Sequence, residues 1–535
     1  MQNLLLVNLM RMGDILQMTP LIQALRESRP GARISMLLNE AFLDVAHRID
    51  VDAVIPFPVR SVVRAASEKE NFVRGYGLLK ELVRTVNGEE TYDLVFNLTP
   101  SKSAASFCSL IAHDACRGMW LGDDGSFQAI DPWAAYLVAM MANRRKNPFH
   151  LVDIWLRTLG QRGPRKLKML LTEEDIRGAE TVLTECGVDL DRDLLVGFQV
   201  SASQKEKCWS EKEFVRLGQA LHRGLNVRVV LFGVTAESAL CGRIAALIPG
   251  SVNLAGRTDV GELAGILKRC RALVTNDTGT QHVAAAVGTP VVVVSVGPVF
   301  FRETGPYGEG HLVFQARMPC APCSFNLSCA KPVCKEKIRA EFVYKALVGL
   351  LRGEEGVPTD LPADVSCYRS SFDEEGCLAF TLESPTQEDR QLQARKGFWH
   401  ALLEDCPPNG SAGAQEALGP ATLEAWSRLE ALLRRSSELM HAIRRAGNGK
   451  EKEPGQFQVL SGNLANAEEE MRRLALEAED LAPLIHYLFL RREALSVRNP
   501  FRFLQESSAL YSHVADQVRH RLECNRSRKE ANSHG

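Results

Sequence analysis

The residues best suited to chemistry lie in the run Thr275-Asn-Asp-Thr-Gly-Thr-Gln-His282. Leu273 to Thr275 reads as the end of a buried strand, and Gln281 to Val287 as a short helix rich in alanine. Between them Asn276, Asp277, Thr278 and Gly279 supply a turn and N-cap residues. A Gly/Thr loop that opens a helix after a strand offers free N–H groups and the positive end of the helix dipole, which together favour a phosphate. An ordinary capped helix is the alternative. Three further sets of residues carry chemical types. Asp14 follows the first strand in Met12-Gly-Asp14, and Lys207 precedes Cys208-Trp209 in a polar loop. Cys320, Cys323, Cys329 and Cys334 have the spacing C-x2-C-x5-C-x4-C, a candidate for zinc or an iron–sulfur cluster. That spacing departs from the usual zinc pairs, so reduced thiols are the preferred reading and no metal is expected. Asp189-Leu-Asp191 has an Asp-x-Asp pattern that can hold a divalent cation, but it precedes a strand and reads as a solvated turn.

Positioning these residues takes two α/β units. The chain has 535 residues, more than one core supports. Apolar residues make up 45% and charged residues 24%, an ordinary globular balance. A net charge of −1 gives no electrostatic footprint for nucleic acid. The opening MQNLLLVNLMRMGD reads as a first strand rather than a signal peptide, and no apolar run is long enough to span a membrane. The 14 cysteines then read as reduced thiols, and the expected location is cytoplasmic. Strands are expected at 4–9, 33–38, 53–57 and 93–97, with helices at 15–27, 41–47, 77–86 and 104–112 between and after them. After a polar cluster at Arg162-Gly-Pro-Arg-Lys166 the alternation resumes with strands at 194–200, 227–232 and 251–254. Gly288 and Pro290 stop the helix after the Thr278 turn, and the run Val291 to Val296 lacks alternation, as in a parallel sheet covered on both faces. Alternation of this kind predicts doubly wound sheets with ligands at the carboxyl ends of their strands.

Met12-Gly-Asp14, Lys207-Cys-Trp209, Asn276-Asp-Thr-Gly279 with His282, Tyr92-Asp-Leu-Val-Phe96 and Gly288-Thr-Pro-Val291 together resemble glycosyltransferase family 9, the family of the lipopolysaccharide heptosyltransferases. The resemblance covers roughly residues 1 to 350. It implies an α/β fold of the GT-B type, with two tandem Rossmann-like domains facing across a cleft. It also implies inverting transfer from a nucleotide sugar, ADP-heptose in the characterised members, without a cofactor or metal. Inversion requires a base and a leaving-group stabiliser on opposite sides of the sugar. Asp14 is the expected base, ionised near neutral pH by its place at a helix N-terminus, or else only a helix cap. Lys207 would steady the departing diphosphate, or else be one more solvated charge. Thr278, Gly279 and Thr280 would cradle the diphosphate, with Ser203 near the phosphates and His282 donating to one. Asp277 would repel a diphosphate, so it either caps the helix or accepts from sugar hydroxyls. Glu237 resembles a position that bonds ribose. Asn97 and Lys102, at a strand end and in its outgoing loop, are candidates for binding the acceptor.

The expected organisation is 1–165 as the acceptor domain, 166–352 as the donor domain, 353–420 as linker and irregular chain, and 421–535 as a C-terminal α-helical extension. In the last, Leu423, Trp426, Leu429, Leu432 and Leu433 recur at helical spacing, and Pro483 should interrupt a second helix. The extension would pack on itself, on the catalytic domains or on a protein partner; the basic run Arg519 to Lys529 could touch anionic lipid. The expected partners are a nucleotide-sugar donor and a glycan or glycolipid acceptor, with peripheral contact at the inner membrane face. A scaffold that binds a sugar nucleotide without chemistry and a sugar-nucleotide epimerase are the alternatives.

Overall fold

The computed structural model describes residues 2–67, 72–88, 91–122, 124–325, 329–354, 357–358, 360–405, 419–448, 454–495 and 499–533. The chain divides into two compact units: Met1–Thr99, Leu110–Cys116 and Phe149–Ser384 form the first, and Pro100–Ser109, Arg117–Pro148 and Pro385–Gly535 the second. No helix among the described residues is long and apolar enough to cross a membrane.

The first unit holds two parallel arrays. In the N-terminal array β1 (Asn3–Asn8), β2 (Arg33–Asn39), β3 (Ala53–Phe57) and β4 (Tyr92–Asn97) take the order β3-β2-β1-β4. The helix expected over 15–27 is two, Met12–Leu16 and Thr19–Ser28. The break has a local cause: Pro20 has no N–H to give to Leu16, and Thr19 Oγ1 donates to the Leu16 carbonyl instead at 2.8 Å. A strand that the periodicity did not announce, β5 (His113–Leu121), follows, and its second half pairs antiparallel with β6 (Phe127–Ala129) inside the second unit.

The larger sheet is built from β7 (Leu194–Gln199), β8 (Val227–Phe232), β9 (Val252–Asn253), β10 (Ala272–Thr275), β11 (Val291–Ser295), β12 (Leu312–Ala316), β13 (Val365–Phe372) and β14 (Leu378–Thr381). Its order is β14-β13-β12-β11-β10-β7-β8-β9, parallel from β9 to β12 and antiparallel at β13 and β14. Every residue of β11 is buried, which accounts for its unbroken valines. The β13–β14 hairpin and the helix Gln387–Glu404 correct the expectation of irregular chain over 353–420. The hairpin's place comes from long-range partners. Asp153, buried on the helix Leu151–Thr158, accepts from the Tyr307 hydroxyl at 2.8 Å and from the Leu378 N–H at 2.9 Å. Arg157 on the same helix donates to the Glu375 carbonyl at 2.5 Å. The break around Pro407-Pro-Asn-Gly410 lies outside the described residues.

The second unit is mainly helical, with Pro420–Asn448, Pro454–Glu477, Ala482–Glu493 and Pro500–Ser533 as its long elements. Pro483 sits in the first turn of the third and separates it from the second, the interruption expected there. Trp426, Leu429, Leu432 and Leu433 are buried, as are Tyr511, Val514, Ala515 and Val518 on the last helix. Small buried residues let these helices approach: Ser437 Oγ and Ser508 Oγ are 2.7 Å apart. In the basic run Arg519 pairs with Glu430 at 2.7 Å and Arg521 is buried, while the side chains of Ser527, Arg528 and Lys529 lie outside the described ones.

Three histidines of the first unit, His150, His282 and His311, are fully enclosed, and burial pushes them down to about 3, about 4 and about 4. They are neutral in the folded chain, whereas an unfolded histidine takes up its proton near pH 6.5. Stability from this source is therefore complete above pH 6.5 and falls as pH drops from 6.5 toward 4, by up to about 1.4 kcal/mol per pH unit for each histidine. Urea midpoints measured from pH 7 to pH 4.5 should decline steadily; a flat profile would contradict the burial of all three.

Candidate functional site

In an open parallel sheet, ligands bind where successive strands are added to opposite sides of a starting strand. The larger sheet has that point between β7 and β10, and the smaller one between β1 and β4. The outgoing loops at these positions carry Lys207, Asn276 to Thr278, Asp14 and Asn97.

At the larger sheet, Asn276 fastens the two loops together. Its amide donates to the carbonyls of Gln199, Val200 and Ser201 at 3.3, 2.9 and 3.3 Å, and its Oδ1 accepts from the Trp209 N–H at 2.8 Å. Trp209 Nε1 in turn donates to the Ile338 carbonyl at 2.7 Å. The loop before Trp209 also presses on Gly297, where φ is +67° and a Cβ would lie 2.5 Å from the Glu206 carbonyl oxygen. So held, Lys207 is buried and its Nζ lies 2.7 Å from Asp277 Oδ2 and 5.5 Å from the centre of the Phe325 ring. Asp277 Oδ1 accepts from Gln281 Nε2 at 3.0 Å. The helix Gly279–Ala286 begins beside this pair with Thr278 at its N-cap, where no side chain caps the first turn. Thr280 is buried and donates to Gln199 Oε1 at 3.1 Å.

The helix Met12–Leu16 packs against Gly279–Ala286 within the same unit. A Cβ on Gly13 would stand 2.5 Å from His282 Cδ2, so only glycine permits this approach. Gln17 Nε2 and Gln281 Nε2 each lie 3.4 Å from His282 Nε2. Among the described residues, His282 Nδ1, Gln17 Oε1 and Gln281 Oε1 are buried without a hydrogen-bond partner. Asp14 Oδ2 accepts from the Arg11 N–H at 3.1 Å, and Asn8 Nδ2 donates to the Asp14 carbonyl at 3.1 Å. Burial raises the Asp14 carboxyl above the usual carboxylate range, the Arg11 N–H and charge oppose this, and the Asp277 charge adds to it.

Asp14, Lys207, Asp277, Gly279 and His282 are thus linked by direct contact or by charge. Two alternatives are removed and one expectation needs correction. Asp277 does not cap the helix, because its carboxylate is taken by Lys207 and Gln281. Lys207 is not a solvated charge. Burial outweighs the helix terminus in setting the Asp14 carboxyl, since a five-residue helix supplies little dipole. Ser203 is exposed. Glu237 accepts from the Val234 N–H at 2.9 Å at the start of its own short helix. Asn97 is buried and accepts from the Thr99 N–H at 3.0 Å, while Lys102 is exposed and belongs to the second unit. Cys320 and Cys329 are exposed and Cys334 is buried; no three His, Cys, Asp or Glu side chains among the described residues form a metal-holding group.

Sequence reading gave Asn276 only a turn role and passed over Asn8, Gln17 and Gln281. Gln17 lies four residues after Gly13, a spacing that puts both on one helix face. Asn276→Ala should orphan the buried Trp209 N–H and Val200 carbonyl, at about 1–3 kcal/mol for each group. Thermal unfolding and transfer rate, measured together, should both fall; an unaltered melting temperature would show that the lacing contributes nothing.

Two Rossmann-like arrays whose strand-end loops meet in one unit define the GT-B fold. Residues 80–333 match the family model for glycosyltransferase family 9 (heptosyltransferase), and the chain carries a domain of that family. It is 26% identical over 317 residues to lipopolysaccharide heptosyltransferase 3 of Escherichia coli K12, covering 57% of this chain and 85% of that protein. It is 24% identical over 326 residues to lipooligosaccharide heptosyltransferase 2 of Haemophilus influenzae, covering 57% and 86%. Among solved structures, the glycosyl transferase family 9 protein of Veillonella parvula DSM 2008 superposes with a TM-score of 0.52 at 21% identity, over 66% of this chain and 98% of that one.

Proposed function

We propose that the protein is an inverting glycosyltransferase that moves a heptose, or a closely related sugar, from an ADP-sugar to a lipopolysaccharide core or other surface glycan. The acceptor oxygen attacks the anomeric carbon while the bond to the diphosphate breaks on the opposite face. Asp14 takes the acceptor's proton. The cation facing the leaving diphosphate is Lys207, and the N–H groups at Thr278, Gly279 and Thr280 cradle the phosphates. Asp277 holds Lys207 in place, and the lone pairs that Lys207 and Gln281 leave open on its two oxygens accept from sugar hydroxyls. The neutral His282 keeps one ring proton to donate. Ser203 and Glu237 reach the phosphate and ribose ends of the donor, and Asn97 and Lys102 the acceptor. A lipid-linked acceptor would bring the protein to the inner membrane face as a peripheral enzyme.

The observation that carries this reading is the buried Lys207–Asp277 pair at 2.7 Å, set at the start of the Gly279–Ala286 helix within electrostatic reach of Asp14. The names of the related heptosyltransferases support the sugar class. Calorimetry of the full chain with ADP-, UDP- and GDP-sugars should show binding to the ADP series, followed by sugar transfer when a heptose-deficient core acceptor is added. Preference for UDP-sugars would overturn the donor assignment. Conversion of a sugar nucleotide to its epimer without any acceptor would overturn the reaction.

A further inference from the structure

Gln281 is buried on the helix Gly279–Ala286, four residues after Asp277, and the proposed transfer gives it no part. Its amide nitrogen stands 3.0 Å from Asp277 Oδ1, 3.3 Å from the Thr304 carbonyl oxygen and 3.4 Å from His282 Nε2. An amide nitrogen carries two hydrogens, and the two oxygens are the nearer acceptors. Turned over, the amide would aim its own oxygen at a carboxylate and a carbonyl, so its neighbours fix its orientation. That orientation leaves Gln281 Oε1 buried with no hydrogen-bond partner among the described residues. An orphaned buried acceptor is costly, so the side chain is arranged around Asp277 rather than around its own satisfaction.

Among the described residues, Asp277 is the one carboxylate within ion-pair distance of Lys207, through Oδ2 at 2.7 Å, and Gln281 is the one donor on Oδ1. A lysine ammonium on a flexible four-carbon stem takes its place from the carboxylate it faces. The bond to Thr304 ties the same amide to the helix Phe301–Thr304, so the carboxylate is steadied from a second element. We propose that Gln281 is a positioning residue for sugar transfer: it fixes the Asp277 carboxylate in the orientation that aims Lys207 at the leaving diphosphate. This rests on Lys207 being the cation that faces the diphosphate.

Gln281→Glu and Gln281→Met in the full-length protein separate this role from a structural one. Protonated glutamate has the shape of glutamine and still donates. Burial and the Asp277 charge both raise its pKa, and Lys207 opposes them. The other groups here are His282, pushed down to about 4 by burial, Asp14, which feels the Asp277 charge, and Arg302 and Glu303 on the helix Phe301–Thr304. Arg302 lies over the Phe301 and Tyr368 rings, and Glu303 is buried. Wherever in this cluster the extra proton sits, the total charge is that of the wild type; once it leaves, two carboxylates bear on Lys207. The kcat of Gln281→Glu relative to wild type should therefore be near one at pH 6 and fall about tenfold by pH 8.5, whereas Gln281→Met should lose about tenfold at every pH.

Trace labelling of Lys207 by acetic anhydride, read by mass spectrometry, needs no substrate and is read apart from Asp14. At pH 8.5 it should be about threefold slower in Gln281→Glu, where a second carboxylate holds the ammonium's proton, and about threefold faster in Gln281→Met, where Asp277 is loosened. A general loosening of the fold would quicken both. If Gln281→Glu does not fold, Gln281→Met carries the test. Equal labelling in all three proteins, a flat kcat ratio across pH in Gln281→Glu, or wild-type kcat in Gln281→Met would overturn the proposal. If the wild type transfers no sugar while the labelling shifts as stated, the hold of Gln281 on the Lys207–Asp277 pair stands and the transferase reading falls.

Discussion

Lys207→Ala should lower sugar transfer by about 10²–10³-fold, the loss seen when one preorganised group facing developing charge is removed. The negative charge on the leaving diphosphate grows as the glycosidic bond breaks, so the loss should fall on kcat and kcat/KM alike, with KM little changed. The variant has a second consequence. Asp277 now lies 2.7 Å from Lys207 and its charge already bears on Asp14. Without the lysine that charge is uncompensated, and the Asp14 carboxyl rises further. The residual activity should therefore need higher pH than the wild type does. Initial rates across pH 5.5 to 9 would show both effects, and wild-type turnover in this variant would end the assignment of Lys207 to the leaving group.

Asp14→Asn should cost about 10²–10⁴-fold, the usual worth of a positioned general base. Asparagine is the informative replacement because its carbonyl oxygen can still accept from the Arg11 N–H, the bond that Asp14 makes at 3.1 Å. A helix cap would survive the change; a base would not. Burial holds the Asp14 carboxyl above the ordinary carboxylate range. Wild-type activity should therefore fall as pH drops through that raised value and the base becomes protonated. The acid limb should be missing from the residual activity of the variant. Equal melting temperatures with unequal rates would separate the two roles. Equal rates would leave Asp14 as a cap.

Much of the framework was readable from local signals. Gly288 and Pro290 ended the helix after Thr278 as their backbone chemistry requires, and the unbroken valines of β11 announced a sheet covered on both faces. The Gly/Thr turn placed a helix start within a residue or two of the observed one. What local pattern could not reveal was partnership over distance. Lys207 and Asp277 are 70 residues apart, and nothing in Gln204-Lys-Glu-Lys207 distinguishes a buried lysine from a solvated one. Asn276 was legible as a turn former but not as the residue lacing two loops, because its acceptors lie 75 to 77 positions earlier. The β13–β14 hairpin was hidden for the same reason: its edge is set by Asp153, 225 residues from Leu378.

That last attachment bears on how the catalytic half can be isolated. A polypeptide cut after residue 352, where the family resemblance runs out, would keep Asp153 and Arg157 and discard Leu378, Glu375 and the two edge strands they hold. It would begin its life with a buried acid short of a donor and the flank of β12 uncovered, an invitation to stick to its own kind. A fragment that keeps this attachment must run at least through Ser384, some thirty residues beyond the point that homology recommends, and its residues 117–148 would still need the helices after Pro385 that belong to their unit.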